Sequence, residues 1–162
     1  MRVSRRRFLQ VGVAGMAVLV AARMLERPAP ASGIVAALAP VILAGALPTE
    51  AREREAALRR VVESVDAAIA GLAPAAREEV AQLFAVLRFA PSRFATAGLW
   101  RPLEEAGADE IAAFLARWRE SRFDLLRAGY QGLTQLVQAG WYDDPRSWAE
   151  VGYPGPPALA GR

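Results

Sequence analysis

An all-α fold is what the sequence predicts: a small helical bundle with one long C-terminal helix and an irregular aromatic, Pro/Gly-rich tail. Three observations carry that expectation. Hydrophobic residues make up 54% of the chain and are mostly Ala, Leu and Val, with few alternating stretches, which suits helices better than strands. Apolar residues recur at three- and four-residue steps over long segments, the spacing of one face of a helix. Proline and glycine fall at the ends of those segments, where helices start and stop. At 162 residues the chain has the size of one domain with one core.

The chain contains no Cys, His or Lys, so all 20 basic residues are Arg. That composition excludes a zinc or iron–sulfur site of ordinary type, covalent haem attachment, a thiol nucleophile, an imidazole base and a lysine Schiff base. The formal net charge is +3, yet six Arg and a single Glu precede residue 32, leaving 14 Arg against 16 acidic residues beyond it. The basic character belongs to the amino-terminal segment, and the remainder carries no basic footprint for nucleic acid.

Residues 1–31 read as a secretion leader. Arg2 to Arg7 supply the positive region, Val11 to Ala22 are twelve uncharged, mostly apolar residues, and Ala29-Pro30-Ala31 offers a small-residue cleavage site before Ser32. Twelve helical residues reach only about 18 Å, against roughly 30 Å of bilayer hydrocarbon. The order Ser4-Arg5-Arg6-Arg7-Phe8-Leu9 resembles the twin-arginine class, whose paired guanidinium groups are read by a receptor. Gln10 stands where that pattern usually has Lys. The competing reading is an ordinary basic signal or a short anchor, since Arg23, Glu26 and Arg27 interrupt the approach to Ala31.

Residues 32–162 read as a single helical domain. Gly33 to Leu47 is an apolar stretch too short to span a membrane, expected as a buried first helix kinked or broken near Ala39-Pro40. An amphipathic helix is expected over Glu50 to Ala70, with Thr49 as its cap, the stripe Leu58, Val61, Val62, Val65, Ala68, Ile69 and Leu72, and Gly71 as its stop. Pro74 opens the next helix, carried by Val80, Leu83, Phe84 and Leu87, and Pro91 is expected to close it. Ser92 to Gly107 has no clear period and reads as a packed connector with one short turn of helix. From Asp109 the apolar positions Ile111, Phe114, Leu115, Trp118, Leu125, Leu126, Tyr130, Leu133, Leu136 and Val137 predict one helix of about 30 residues, the longest in the chain. Gly129 and Gly132 would bend it or admit a close helix contact.

The tail, residues 140–162, differs from what precedes it. Asp144, Pro145 and Gly152 have the order of a miniature helix, as cap, first-turn proline and stop, and Tyr153-Pro154-Gly155-Pro156 fits a type II turn. Its aromatic residues either fold back on the bundle, as Trp141 and Trp148 favour, or anchor a partner. No Gly-rich loop of nucleotide-binding spacing occurs after the leader. The acid pairs Glu78-Glu79, Glu104-Glu105 and Asp143-Asp144 are adjacent in sequence and so point apart on a helix. No catalytic, cofactor-binding or metal-binding residue is assigned, and the chain reads as a binding or scaffolding module.

The leader Ser4 to Leu9, the Leu38 to Pro48 stretch, the Ala56 to Leu72 helix, the Ile111 to Trp141 segment, and above all Trp141-Tyr142 through Trp148 to Gly152-Tyr153-Pro154-Gly155-Pro156-Pro157 together resemble the gluconate 2-dehydrogenase subunit 3 type. That family supplies the small, or gamma, subunit of bacterial membrane-bound FAD-dependent sugar and alcohol dehydrogenases. The resemblance implies a non-catalytic chain without its own cofactor, its partners being an FAD-containing catalytic subunit of the glucose-methanol-choline type, a cytochrome c subunit carrying haem c, and the twin-arginine translocase. It implies a location in the periplasm or on the periplasmic face of the inner membrane. The partner interface is expected on the aromatic tail, at Trp141, Tyr142, Trp148, Tyr153, Pro154, Gly155 and Pro156. Two other classes remain open: a free-standing exported helical envelope protein, and a cofactor-independent enzyme using carboxylates and arginines.

Export is expected to depend on Arg5 and Arg6. Replacing both by Lys keeps the charge but removes the guanidinium geometry, so fractionation should find the double variant retained in the cytoplasm; undiminished export would refute the twin-arginine reading.

Overall fold

Residues 32–150, with Gly152 and Pro154, are described by a computed structural model, and every regular element among them is helical. The leader residues Ser4, Arg5, Arg6, Phe8 and Leu9, the cleavage residues Ala29 and Ala31, and Tyr153, Gly155 and Pro156 of the tail lie outside the described residues.

The first helix, α1 (Ser32–Ile42), buries Ile34, Val35, Leu38 and Ala39 on one face. Pro40 lies inside it, so the expected break at Ala39-Pro40 does not occur there. Proline has no N–H to donate, and the helix runs only two residues further. It closes in a turn where the Leu43 N–H donates to the Ala39 carbonyl at 2.9 Å and Gly45 takes φ +87°.

Helix α2 (Ala51–Gly71) is capped by Glu50 rather than Thr49: its carboxylate accepts the N–H groups of Arg52 and Glu53 at 3.3 and 2.8 Å. A carboxylate there satisfies orphan donors and suits the positive end of the helix dipole. Helix α3 (Pro74–Arg88) starts on Pro74 as predicted. Pro91 does not close it. Phe89 separates α3 from a further helix, α4 (Ala90–Ala97), and Pro91 sits in the first turn of α4, so much of the expected connector is helical. Gly98 ends α4 at φ +75°, and the Arg117 guanidinium occupies the space a Cβ would need. A 3₁₀ turn, Leu103–Glu105, follows.

The predicted 30-residue helix is two helices, α5 (Ala108–Arg119) and α6 (Asp124–Tyr142), so the long C-terminal helix has 19 residues and α2, with 21, is the longest among the described residues. The break has a local cause. The Ser121 hydroxyl accepts the Phe123 N–H at 3.1 Å, diverting a backbone donor from the helical ladder. Leu125, expected on the apolar face, is 81% exposed after the chain turns. A last short helix, α7 (Arg146–Glu150), follows α6.

Helix α1 is packed against α2, α5, α6 and the 3₁₀ turn, while α2 and α6 form the most extensive helix pair. Gly140 makes that pair close: a Cβ there would stand 2.7 Å from Val65 Cγ2 and 3.0 Å from the Val61 carbonyl oxygen. Gly129 takes the Trp118 ring of α5, whose atom Cζ3 would lie 2.5 Å from a Cβ. Trp118 is buried, stacks edge-on against Phe114 at 4.9 Å, and its indole N–H donates to the Thr96 carbonyl at 2.9 Å, joining α5 to α4. Among the described residues no helix is long and apolar enough to cross a membrane.

Two substitutions on α6 should move stability in opposite directions. Gly140→Val places side-chain carbons against the α2 backbone and should cost about 2–3 kcal/mol in chemical denaturation. Gly132→Ala, whose nearest foreign atom would be Leu83 Cδ2 at 3.9 Å, should gain up to about 1 kcal/mol from helix propensity. Equal effects at the two sites would refute the close-approach account.

Candidate partner-binding surface

The tail segment begins where α6 stops, and its first residues are tied to α2. Asp143 and Asp144, adjacent in sequence, act on two groups one turn apart: Arg60 Nε donates to Asp144 Oδ2 at 2.6 Å, and the Ser64 hydroxyl donates to Asp143 Oδ2 at 2.8 Å. The other Asp144 oxygen accepts the Arg146 N–H at 3.0 Å, the predicted capping role for α7. Ser147 is buried and its hydroxyl donates to the Asp144 carbonyl at 2.8 Å. One residue pair therefore clasps the tail to α2 and starts α7.

Burial pushes the Asp144 carboxyl up, but the Arg146 N–H and the Arg60 guanidinium together outweigh it and hold the group below its ordinary value. The clasp is a structural use of two acids. Of the other pairs, Glu78 accepts from Gln82 at 3.3 Å, and the Glu104 carboxylate covers Gly33 at the start of α1, where negative charge complements the helix dipole. Among the described residues no group of three or more His, Cys, Asp or Glu is arranged to hold a metal ion.

The predicted interface residues separate. Trp141 is only 5% exposed and belongs to the core of its own bundle, so its ring is not offered to a partner. Trp148 is half-buried and donates its indole N–H to the Tyr142 carbonyl at 2.8 Å, folding back over the end of α6. Tyr142, at 50% exposure, remains available. Gly152 takes φ +68°, the left-handed stop expected of it, and Pro154 is exposed. Thus α6 and the clasp bring Tyr142 and Trp148 together and deliver the chain to the surface at Gly152.

Two apolar displays went unread in the sequence. Phe94 and Trp100 stack edge-on at 5.1 Å with Trp100 66% exposed, although their segment was expected to pack inward. Behind them Arg93 is buried, donating to the carbonyls of Leu87, Arg88 and Trp100 at 2.9, 2.5 and 2.9 Å. Proline in the first turn of α4 was the available signal, since Pro91 at that position puts Arg93 and Phe94 on different faces of one helix. The second display is the α5–α6 turn, where Phe123 and Leu125 are both exposed.

Models of known protein families, curated proteins and solved structures were each compared with the chain, and none matches.

The clasp sets a pH dependence. Because the folded-state carboxyl of Asp144 lies below its unfolded value of about 3.9, its stabilisation is full above that value and is lost as pH falls through the folded one. Asp144→Asn should therefore cost about 1 kcal/mol near neutral pH, and the gap between variant and parent should narrow as unfolding is measured at pH values progressively below the ordinary carboxylate range. A gap that stays constant with pH would show that the charge does not hold the clasp.

Proposed function

We propose that this chain is a non-catalytic small subunit of a flavin dehydrogenase complex, binding the FAD-containing catalytic subunit and carrying it through the twin-arginine pathway to the periplasmic side of the inner membrane. The supporting observation is the pairing, on one helical domain, of the Ser4-Arg5-Arg6-Arg7-Phe8-Leu9 leader with the Gly152-Tyr153-Pro154-Gly155-Pro156-Pro157 ending. The domain fits such a role physically. The clasp holds the root of the tail on α2, and Tyr142 and Pro154 stand at the surface, so side chains beside a fixed root can meet a partner at small entropic cost. In this reading the chain does no chemistry, FAD belongs to the large subunit, and haem c belongs to a cytochrome subunit that takes the electrons onward. A turnover assay on the isolated chain addresses the enzymatic alternative, and a neighbouring gene for a large flavoprotein without its own leader separates the complex from a free-standing envelope protein.

Deleting Val151 to Arg162 tests the tail directly. The deletion leaves α6 and the clasp intact, so the melting temperature should hold, while removal of an aromatic anchor of 2 kcal/mol or more should weaken binding to the flavoprotein roughly thirty-fold. Unchanged affinity beside a lowered melting temperature would refute the anchor and return the tail to the bundle.

A further inference from the structure

The turn between α5 and α6 brings arginines and exposed apolar side chains together. Residues 117–127 hold four Arg against two acids, whereas the remainder of 32–162 holds ten Arg against fourteen acids. The turn thus carries a local charge of +2 on a domain that is negative as a whole. At its centre Phe123 is 55% exposed and Leu125, with the most exposed large apolar side chain among the described residues, stands two positions on. The Arg122 guanidinium lies over the Phe123 ring at 4.8 Å. Arg119 pairs with Glu120 at 3.0 Å, and Arg127 holds both Asp124 and the Ser121 carbonyl. The last two contacts brace the turn, so that Phe123 and Leu125 are presented by a fixed backbone rather than by a loose loop.

An exposed aromatic under a guanidinium and an exposed leucine two positions on, in an arginine-rich helix–helix turn, match the interface of an anionic bilayer. Apolar side chains enter the headgroup boundary while the arginines stay at the phosphate level. We propose that the α5–α6 turn docks this domain on anionic phospholipid, with Phe123 and Leu125 inserted and Arg119 and Arg122 facing the phosphates. The contact is peripheral. It places the domain against a membrane whether or not it carries a flavoprotein, so it does not rest on the function proposed above.

The absence of cysteine from the chain permits a site-specific test on the full-length protein, in which the leader's own lipid affinity is common to every sample. Leu125→Cys and, on the exposed side of α2, Glu63→Cys are each labelled with an environment-sensitive dye and mixed with vesicles of phosphatidylglycerol and phosphatidylcholine, or of phosphatidylcholine alone. The dye at position 125 should shift to the blue and become shielded from aqueous iodide on the anionic vesicles only, with the shielding weakened by salt as charges are screened. The dye at position 63 should stay accessible. Phe123→Ser with Leu125→Ser should weaken binding to the anionic vesicles about tenfold, and circular dichroism checks that the exposed substitutions leave the helices intact. Failure to bind, equal accessibility at 125 and 63 on bound protein, or equal shielding on uncharged vesicles would each overturn the proposal. So would shielding at 125 that appears with a protein partner and not with lipid.

Discussion

Helix α1 is eleven residues long, and a helix of that length is marginal in water by itself. It is helical here because Ile34, Val35, Leu38 and Ala39 are enclosed by α2, α5, α6 and the 3₁₀ turn. The dependence is mutual. Without α1, the inward residues Val61 of α2, Ile111 and Phe114 of α5 and Leu133 of α6 would face a void, since these helices share α1 as a common neighbour. The position of α1 also bears on the expected cleavage after Ala31. A cut after Ala31, as the leader reading expects, would keep Ile34 and Val35 in the centre of the core, whereas a cut a few residues later would remove them.

Periodicity made the helical class and most of the core legible. Val61, Val65, Phe84, Leu87, Ile111, Phe114, Trp118, Leu133 and Val137 are all inward as their spacing predicts. The missed boundary between α5 and α6 shows where that signal weakens. Three and four residues beyond Trp118 the stripe falls on Ser121 and Arg122, so the apolar face lapses for a turn before Leu125 and Leu126 restore an apparent period. Reading across the lapse merged two helices and put Leu125 inside. A serine that can bond to the backbone at such a gap is a sign of a break.

At the candidate site, local chemistry was legible and distant pairing was not. Asp144 as a cap and Gly152 as a stop follow from conformational preferences within a few residues. The clasp to Arg60 and Ser64 crosses about 80 residues of chain, and nothing in the order of residues announces it before α2 and α6 are known to lie together. Trp141 follows the same logic. Its ring is buried because Gly140, its neighbour, brings α6 against Val61 and Val65, a consequence of helix approach and not of the aromatic run to which Trp141 belongs in sequence.

The same helix approach depends on how the chain is turned at each junction, and here the all-arginine composition acquires a structural use. Arg54 binds the carbonyls of Pro48 and Thr49 before α2, Arg77 binds those of Ala70 and Leu72 after it, Arg93 joins Leu87 and Arg88 to Trp100, and Arg127 binds Ser121 between α5 and α6. Each guanidinium reaches back across the connection that precedes its own helix. At the ends of α2 and α3 the acceptors are carbonyls without a helical partner, on the negative side of the dipole, so a cation there satisfies both hydrogen bonding and charge. A forked, planar donor set can hold two or three carbonyls at once in a fixed direction, which a single ammonium does less well. Arg93 shows the limiting case: it is buried with backbone oxygens for partners, which confines it to one arrangement of α3, α4 and the Trp100 loop. Four of the turns that set the helix directions are thereby locked from within, and Phe94 with Trp100 and Phe123 with Leu125 are displayed on two of them.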